Sequence, residues 1–281
     1  LRKELEEYGF VVNPEDPCVA NKWITDKAHP EGGHQMTVIW HMDDLLVSCQ
    51  DTFELTKLQC YLGRIYGKGL TINHGVKHHY LGMDLEFCED GSLEVGMVDY
   101  VRDVIHDWPE DVGRKSCRTP AAAHLFQVRE GNDRKVLSEK EAVQFHHTVA
   151  QLLFLSGRAR RDIQTAVAFL TTRVKDPDKD DRQKLRQVIL YVNVTWHLKL
   201  KLTIKNFSVI KWWIDGSHNT HPDCKGHTGA MMSLGKGAVA SYSRKHKINT
   251  RSLTETEIVS VDQMMPEVCW TYNFLMAQGY F

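Results

Sequence analysis

Nowhere in the 281 residues do about 18 apolar residues run together, so the sequence offers no membrane-spanning helix. Neither sign of charge is in excess: 35 Lys and Arg stand against 36 Asp and Glu. A global positive field that would advertise nucleic acid is therefore excluded, and any such partner is left to local basic segments. The start, "LRKELEEYGF", is charged and amphipathic and does not resemble a secretory signal. Internal repeats and low-complexity tracts are absent. The seven cysteines are odd in number, scattered and mostly in apolar surroundings, which leads to the expectation of reduced core thiols in a reducing compartment rather than a disulfide framework. The chain opens on Leu1 rather than Met and stops inside the apolar pattern "FLMAQGYF", which leads to the expectation of an internal piece of a longer polypeptide.

What is present is an ordinary globular composition, 42% hydrophobic and 25% charged, of a length that suits roughly two domains. The opening "LRKELEEYG" predicts a helix, "FVVNPEDPCVANKW" a strand-turn segment and "AHPEGGHQ" a loop. "DTFELTKLQCYLGRIYG" begins at an Asp cap and spaces its apolar residues by three or four, a helix. "GVKHHYLGMDLEFCEDGSLEVGM" alternates around an Asp-Gly turn, a hairpin. Helix "VDYVRDVIHDW" follows, ended by Pro109, and then a loop-rich link to about Leu137. Ser138 and Glu141 form a capping box before "AVQFHHTVAQLLFLSGRA". "RRDIQTAVAFLTTRV" and "DPDKDDRQKLRQVILYVNVTW" give further helices, the last with an acidic first turn that suits the macrodipole. Beyond a boundary near residue 205, "FSVIKWWIDGS", "GHTGAMMSLG" and "GAVASYSRK" predict three strands before the helix "LTETEIVSVDQMMPEVCWTYNFLMAQG".

The segment "TVIWHMDDLLVSC" sets Asp43 and Asp44 side by side between apolar runs that predict a β-hairpin. Adjacent like charges repel and lose hydration in such a setting. A turn open to water would relieve them; so would a bound divalent cation. Two-metal phosphoryl transfer needs carboxylates converging on ions about 4 Å apart, and a tight hairpin tip presents them well.

"IWHMDDLLVS" resembles the Tyr-x-Asp-Asp hairpin of reverse transcriptases in the form used by copia-type LTR retrotransposons. "HHYLGMDLEF" is similar to that family's Phe-Leu-Gly segment. "FHHTVAQLLFLSGRARRDIQTAVAFLTTRVKDP" resembles its thumb-to-connection stretch with the Arg-Pro-Asp-Ile element, and "LTETEI" its "STEAEY" RNase H signature. The likeness covers nearly the whole chain in order. It departs at His41, where Tyr is usual, at Arg161 in place of Pro, and at Leu253 in place of Ser.

The resemblance implies an α/β (α+β) fold: the C-terminal part of a reverse-transcriptase palm and the start of the thumb in residues 1–110, thumb and connection helices in 111–205, and a truncated RNase H-like domain in 206–281. It implies that Asp43 and Asp44 hold Mg2+ (or Mn2+) for nucleotide addition, with His41, Met42, Tyr80, Leu81 and Gly82 beside primer and template. It assigns Asp215 on a strand and Glu257 on a helix to metal-dependent cleavage of RNA in RNA–DNA hybrids. Helical phase favours Glu257 over Glu255, on the expectation that Ile258, Val261, Met265 and Val268 form the buried stripe; Asp262 is expected to be an exposed helical residue. A further polymerase carboxylate before Leu1, and further RNase H acids after "AQGY", are also implied. Arg244, Lys245, Lys247 and Arg251 in "SYSRKHKINTR", without one acid among them, and Arg158, Arg160 and Arg161 in "GRARR" are candidates for phosphate contacts. The implied partners are an RNA template, a DNA primer, RNA–DNA hybrid, deoxynucleoside triphosphates and the rest of the Pol polyprotein, with no membrane; the implied location is intracellular, in a cytoplasmic particle or the nucleus. A different class remains open: an inactive relic or nucleic-acid-binding module that keeps the fold without chemistry. His221, Cys224 and His227 have metal-like spacing but no second ligand pair, so they are expected to be loop residues without metal. His78–His79 and His146–His147 are expected to serve packing or the surface.

Overall fold

The computed structural model describes residues 1–25, 32–113 and 117–280. Of the expected loop "AHPEGGHQ", residues 28–31 lie outside the described residues, as do residues 114–116 of the expected link. The chain is a mixed α/β protein with antiparallel sheets, divided into two compact units: Leu1–Leu81 with Glu267–Phe281, and Gly82–Pro266. These units divide by contact, whereas the three sequence segments above divide by resemblance.

In the first unit, helix α1 (Arg2–Glu7) leads into β1 (Val11–Asn13), β2 (Asp16–Thr25), β3 (Gly33–His41) and β4 (Asp44–Ser48), an antiparallel sheet in sequential order. One face of this sheet is buried: Ala20, Met36 and Val38 are fully enclosed together with Leu5, Leu58 and Leu62. Leu58 and Leu62 come from α2 (Thr52–Tyr66), four residues apart and so on one helical face. Asp51 caps α2 as its sequence predicted, accepting from the Phe53 N–H at 2.8 Å. The helix stops at Gly67, whose φ of 59° a side chain would resist. Strand β5 (Lys77–Tyr80) completes the N-terminal part of this unit.

The second unit begins with β6 (Met83–Phe87) and β7 (Leu93–Gly96), a hairpin turned at Asp90–Gly91 as expected. Helices α3 (Val98–Asp107), α4 (Glu139–Ser156), α5 (Gln164–Thr171) and α6 (Lys179–Val194) follow. The Ser138–Glu141 capping box is formed, and α6 has a second one between Asp178 and Asp181. Phe145, Leu152, Leu155, Phe169, Leu170, Leu185 and Ile189 fill the helical core. Two strands went unread in the sequence: β8 (Leu200–Ile204), paired to β7, and the two-residue β11 (Gly235–Lys236), paired to β8. β11 has only two residues, and β8, "LKLTI", alternates apolar and polar residues but is only five residues long and pairs with strands distant in sequence. A separate sheet holds β9 (Lys211–Ser217), β10 (His227–Ser233) and β12 (Ala240–Lys245) in the order β12-β10-β9. Helix α7 (Leu253–Ala277) then runs through Pro266, and its last turns belong to the first unit.

Leu58 is 1% exposed in the core beneath the four-stranded sheet. Leu58→Ala is expected to destabilise the first unit by about 2–5 kcal/mol, read as a lowered urea midpoint by circular dichroism.

Candidate functional site

His41 pairs directly with Asp44, so only Met42 and Asp43 reverse the chain between β3 and β4. Behind them Trp40 pairs Leu45, Ile39 pairs Leu46 and Val38 pairs Val47, which ties the tip to the buried face of the sheet. Met42 is 84% exposed and has a φ of 50°, a conformation that a side-chain-bearing residue adopts at a cost. His41, Asp43 and Asp44 are exposed as well. Both carboxylates line a cleft of about 270 Å³ whose other walls include Thr71, Asn73, His78 and Tyr80. The like charges are thus relieved by opening onto solvent and a polar cavity.

Tyr80 is 8% exposed, and its hydroxyl has no hydrogen-bond partner among the described residues. Burial pushes its phenol pKa up, and Asp44 adds to the shift. Leu81 and Gly82, the other members of the expected primer-side segment, form the turn after β5, with φ angles of 51° and 77°.

In the second unit Gly216 is the residue of β9 turned toward α7. A Cβ there would lie 2.5 Å from Ser260 Oγ and 3.0 Å from the Thr256 carbonyl oxygen. Strand alternation puts Asp215 on the opposite face. There it pairs with Gly229, which pairs in turn with Ser243, so Asp215 and Ser243 flank one bare position. A shallow cleft of about 630 Å³ covers this face, lined also by Trp213, Met231, Arg161 and Gln164. On α7, Glu255 accepts a hydrogen bond from the Arg251 N–H at 2.6 Å, which occupies it at the helix start and leaves Glu257 exposed. The structure therefore does not bring Asp215 and Glu257 together on one face of the sheet.

The expected buried stripe of α7 is corrected. Ile258, Val261 and Met265 are 63%, 41% and 46% exposed, whereas Thr256, Ser260 and Met264 are fully buried. The reason is a polar helix–sheet contact. The Thr228 hydroxyl donates to Gln263 Oε1 at 2.8 Å and lies 2.8 Å from His246 Nε2 and 3.1 Å from Ser260 Oγ. His218 Nδ1 reaches Thr250 and Thr256 at 3.1 and 3.0 Å. Pairing these hydroxyls and imidazoles with one another lowers the cost of burying them, although His246 Nδ1 has no hydrogen-bond partner among the described residues. Asp262 is exposed, as expected. Among the described residues, no group of three or more His, Cys, Asp or Glu is placed to hold a metal ion.

His221 and His227 form a pair the sequence reading missed. His221 Nε2 lies 3.0 Å from His227 Nδ1, and His227 Nε2 lies 2.6 Å from Ser243 Oγ. Phe126 sets its edge against both rings. Burial lowers the pKa of each histidine to about 4. Their spacing in the sequence suggested only a loop; a signal would have required knowing which face of β10 His227 occupies. Cys224, between them, is exposed. His146 and His147 are exposed on α4.

The basic segments are not uniform patches. Arg244 and Lys245 are consecutive on β12 and so point to opposite faces; Arg244 stacks over Tyr242, and Lys245 pairs with Asp223 at 2.8 Å. The acid that the segment lacks in sequence is thus supplied by the loop before β10. Lys247 and Arg251 are exposed in the turn before α7. Arg160 is corrected as a phosphate-contact candidate. It is 2% exposed, bound to Asp162 at 2.7 Å and to Thr195 Oγ1 at 2.7 Å, because it closes the end of α4 against α6. Arg158 lies over the Phe154 ring, and Arg161 donates to the Gly157 carbonyl at 2.5 Å.

Fold and site together define a mixed α/β chain with a carboxylate pair at a hairpin apex over a polar cleft. Comparison with known proteins shows similarity to proteins of mobile elements. The chain is 23% identical over 233 residues to a putative transposon Ty5-1 protein of Saccharomyces cerevisiae, which covers 81% of this chain and 72% of that protein. It is 23% identical over 270 residues to the retrovirus-related Pol polyprotein from transposon TNT 1-94 of Nicotiana tabacum, covering 94% of this chain but only 19% of the polyprotein. An uncharacterized mitochondrial protein of Arabidopsis thaliana is 23% identical over 243 residues, 84% of this chain and 94% of that protein. No family model matches the chain, and no solved structure matches it. The chain is thus similar to a putative transposon protein and to part of a retrovirus-related Pol polyprotein from a transposon. Among the described residues no helix is long and apolar enough to cross a membrane.

Two outcomes follow from the small sheet and its helix. Unfolded imidazole titrates near pH 6.5, whereas folded His221 and His227 remain neutral to about pH 4. Between those values the unfolded chain binds more protons, so stability falls as pH drops through this window, by up to about 1.4 kcal/mol per pH unit per histidine. Urea midpoints measured from neutral pH down toward pH 4 should show this slope, and His227→Gln should flatten it. Gly216→Ala should cost about 1–3 kcal/mol by overpacking against Thr256 and Ser260, seen as a lowered melting temperature.

Proposed function

We propose that the chain is part of a retrotransposon reverse transcriptase with an incomplete RNase H-like domain: palm and the start of the thumb in residues 1–110, thumb and connection helices in 111–205, RNase H-like in 206–281. The observation that carries this reading is the Asp43–Asp44 pair held at a two-residue apex beside a polar cleft. Exposed carboxylate oxygens suit Mg2+ or Mn2+, ions commonly bound by one or two carboxylates with the remaining positions left to water and substrate phosphates. Such an ion supplies stabilisation of the attacking and leaving oxygens in phosphoryl transfer. Asp43 and Asp44 would hold it, while exposed His41 and Met42 flank the approach of primer and template. Tyr80, with the turn Leu81–Gly82, lies on the primer side of the cleft. Arg244, Lys247 and Arg251 would bear on hybrid backbone. The partners are RNA template, DNA primer, RNA–DNA hybrid, deoxynucleoside triphosphates and the remainder of the Pol polyprotein, in a cytoplasmic particle or the nucleus.

A second reading applies to the RNase H-like part: binding of hybrid without cleavage. It is favoured by Asp215, which lies on the face of β9 away from α7 and Glu257. Magnesium-dependent primer extension by the full reading frame tests the first reading. Asp43→Asn or Asp44→Asn should lower extension more than about hundredfold, since loss of a ligand exceeds loss of a supporting residue; extension that ignores both substitutions sinks it. Cleavage of a labelled hybrid that is lost in Glu257→Gln supports an active RNase H, whereas salt-dependent hybrid binding without cleavage supports the second reading.

A further inference from the structure

Strand β5 carries a polar group whose burial has no structural partner. Tyr80 is more than nine-tenths buried and its hydroxyl makes no hydrogen bond to any described residue, yet it lines the cleft that Asp43 and Asp44 line. Leaving a buried hydroxyl unpaired is unfavourable, so its retention calls for an occupant of the cleft. Strand alternation turns His78 to the same side, where its Nε2 is held 2.8 Å from the Gly75 carbonyl oxygen. Thr71 and Asn73 form the facing wall. The cleft therefore offers two carboxylates and several neutral polar groups. An anion alone would be repelled by the carboxylates, whereas an anion that arrives on a divalent cation would be drawn to them and would still need neutral donors for its other oxygens. A phenol carries its proton at neutral pH, which makes the hydroxyl a donor.

We propose that Tyr80 is a positioning residue whose hydroxyl donates to an oxygen of a phosphate group that enters the cleft with a divalent ion held by Asp43 and Asp44. The inference rests on the divalent-ion reading of those two residues. The phosphate belongs either to a nucleoside triphosphate or to the backbone of a nucleic acid, and the two sources are separable.

The test uses the 281-residue chain with Mn2+, whose free fraction is followed by electron paramagnetic resonance, and with dTTP and a fluorescent primer–template duplex titrated separately in its presence. Tyr80→Phe should hold Mn2+ as the unaltered chain does and melt at the same or a higher temperature, because it removes an unsatisfied hydroxyl. It should bind either dTTP or the duplex about tenfold more weakly, and whichever weakens identifies the source. Unchanged affinity for both overturns the inference alone. So does a lowered melting temperature with parallel loss of Mn2+, which would mark a structural hydroxyl. If the unaltered chain binds no Mn2+, or binds it equally with Asp43→Asn and Asp44→Asn combined, the divalent-ion reading fails and the inference with it.

Discussion

Direct pairing of His41 with Asp44 leaves two residues to reverse the chain, and the position of the carboxylates depends on that economy. Asp44 is the first residue of a strand rather than part of a loose loop, and Asp43 sits one step away on the turn. The left-handed backbone at Met42 is unfavourable for a methionine, and what holds it there is the cross-strand register behind it. That register is strongly specified because Met36 and Val38 are fully buried: a slip of one residue would turn them to solvent. Core packing beneath the sheet thus fixes two exposed acids at its end. Such a rigid support is what the proposed ion site would require.

The second unit solves a different problem. Its three-stranded sheet meets α7 through hydroxyls and imidazoles rather than through a greasy seam, with Thr228 at the centre. Glycine at 216 permits the close approach. On the other face, Gly229 leaves an open position between Asp215 and Ser243, while His227 is sealed under Phe126. A single small sheet therefore separates a structural polar core from a solvent-facing acidic position. The same logic governs Arg160, whose charge is spent on Asp162 inside the helical domain rather than on phosphate.

Much of the architecture could be read before any coordinates. Asp51 and the Ser138–Glu141 box are local signals, because the side chain that caps a helix lies within three residues of the group it satisfies, and the acidic first turn of α6 is local too. The hairpin of β3 and β4 was legible for the same reason: its strands are consecutive and strongly apolar. Strands β8 and β11 were not, since each is short and owes its existence to a neighbour distant in sequence. The phase of α7 was misread because its exposed face is the apolar one, with Ile258 and Met265 outward and Thr256 and Ser260 inward.

By itself the sequence determined the carboxylate pair, the order of the motifs and most helix boundaries, all of which depend on residues close along the chain. Only the tertiary structure decided that Asp215 and Glu257 are not brought onto one face, that Lys245 pairs with Asp223, that Arg160 is buried, and that the Tyr80 hydroxyl finds no partner among the described residues. Those outcomes turn on which face of a strand or helix a side chain occupies. That is set by packing between segments far apart in sequence, and no local pattern carries it.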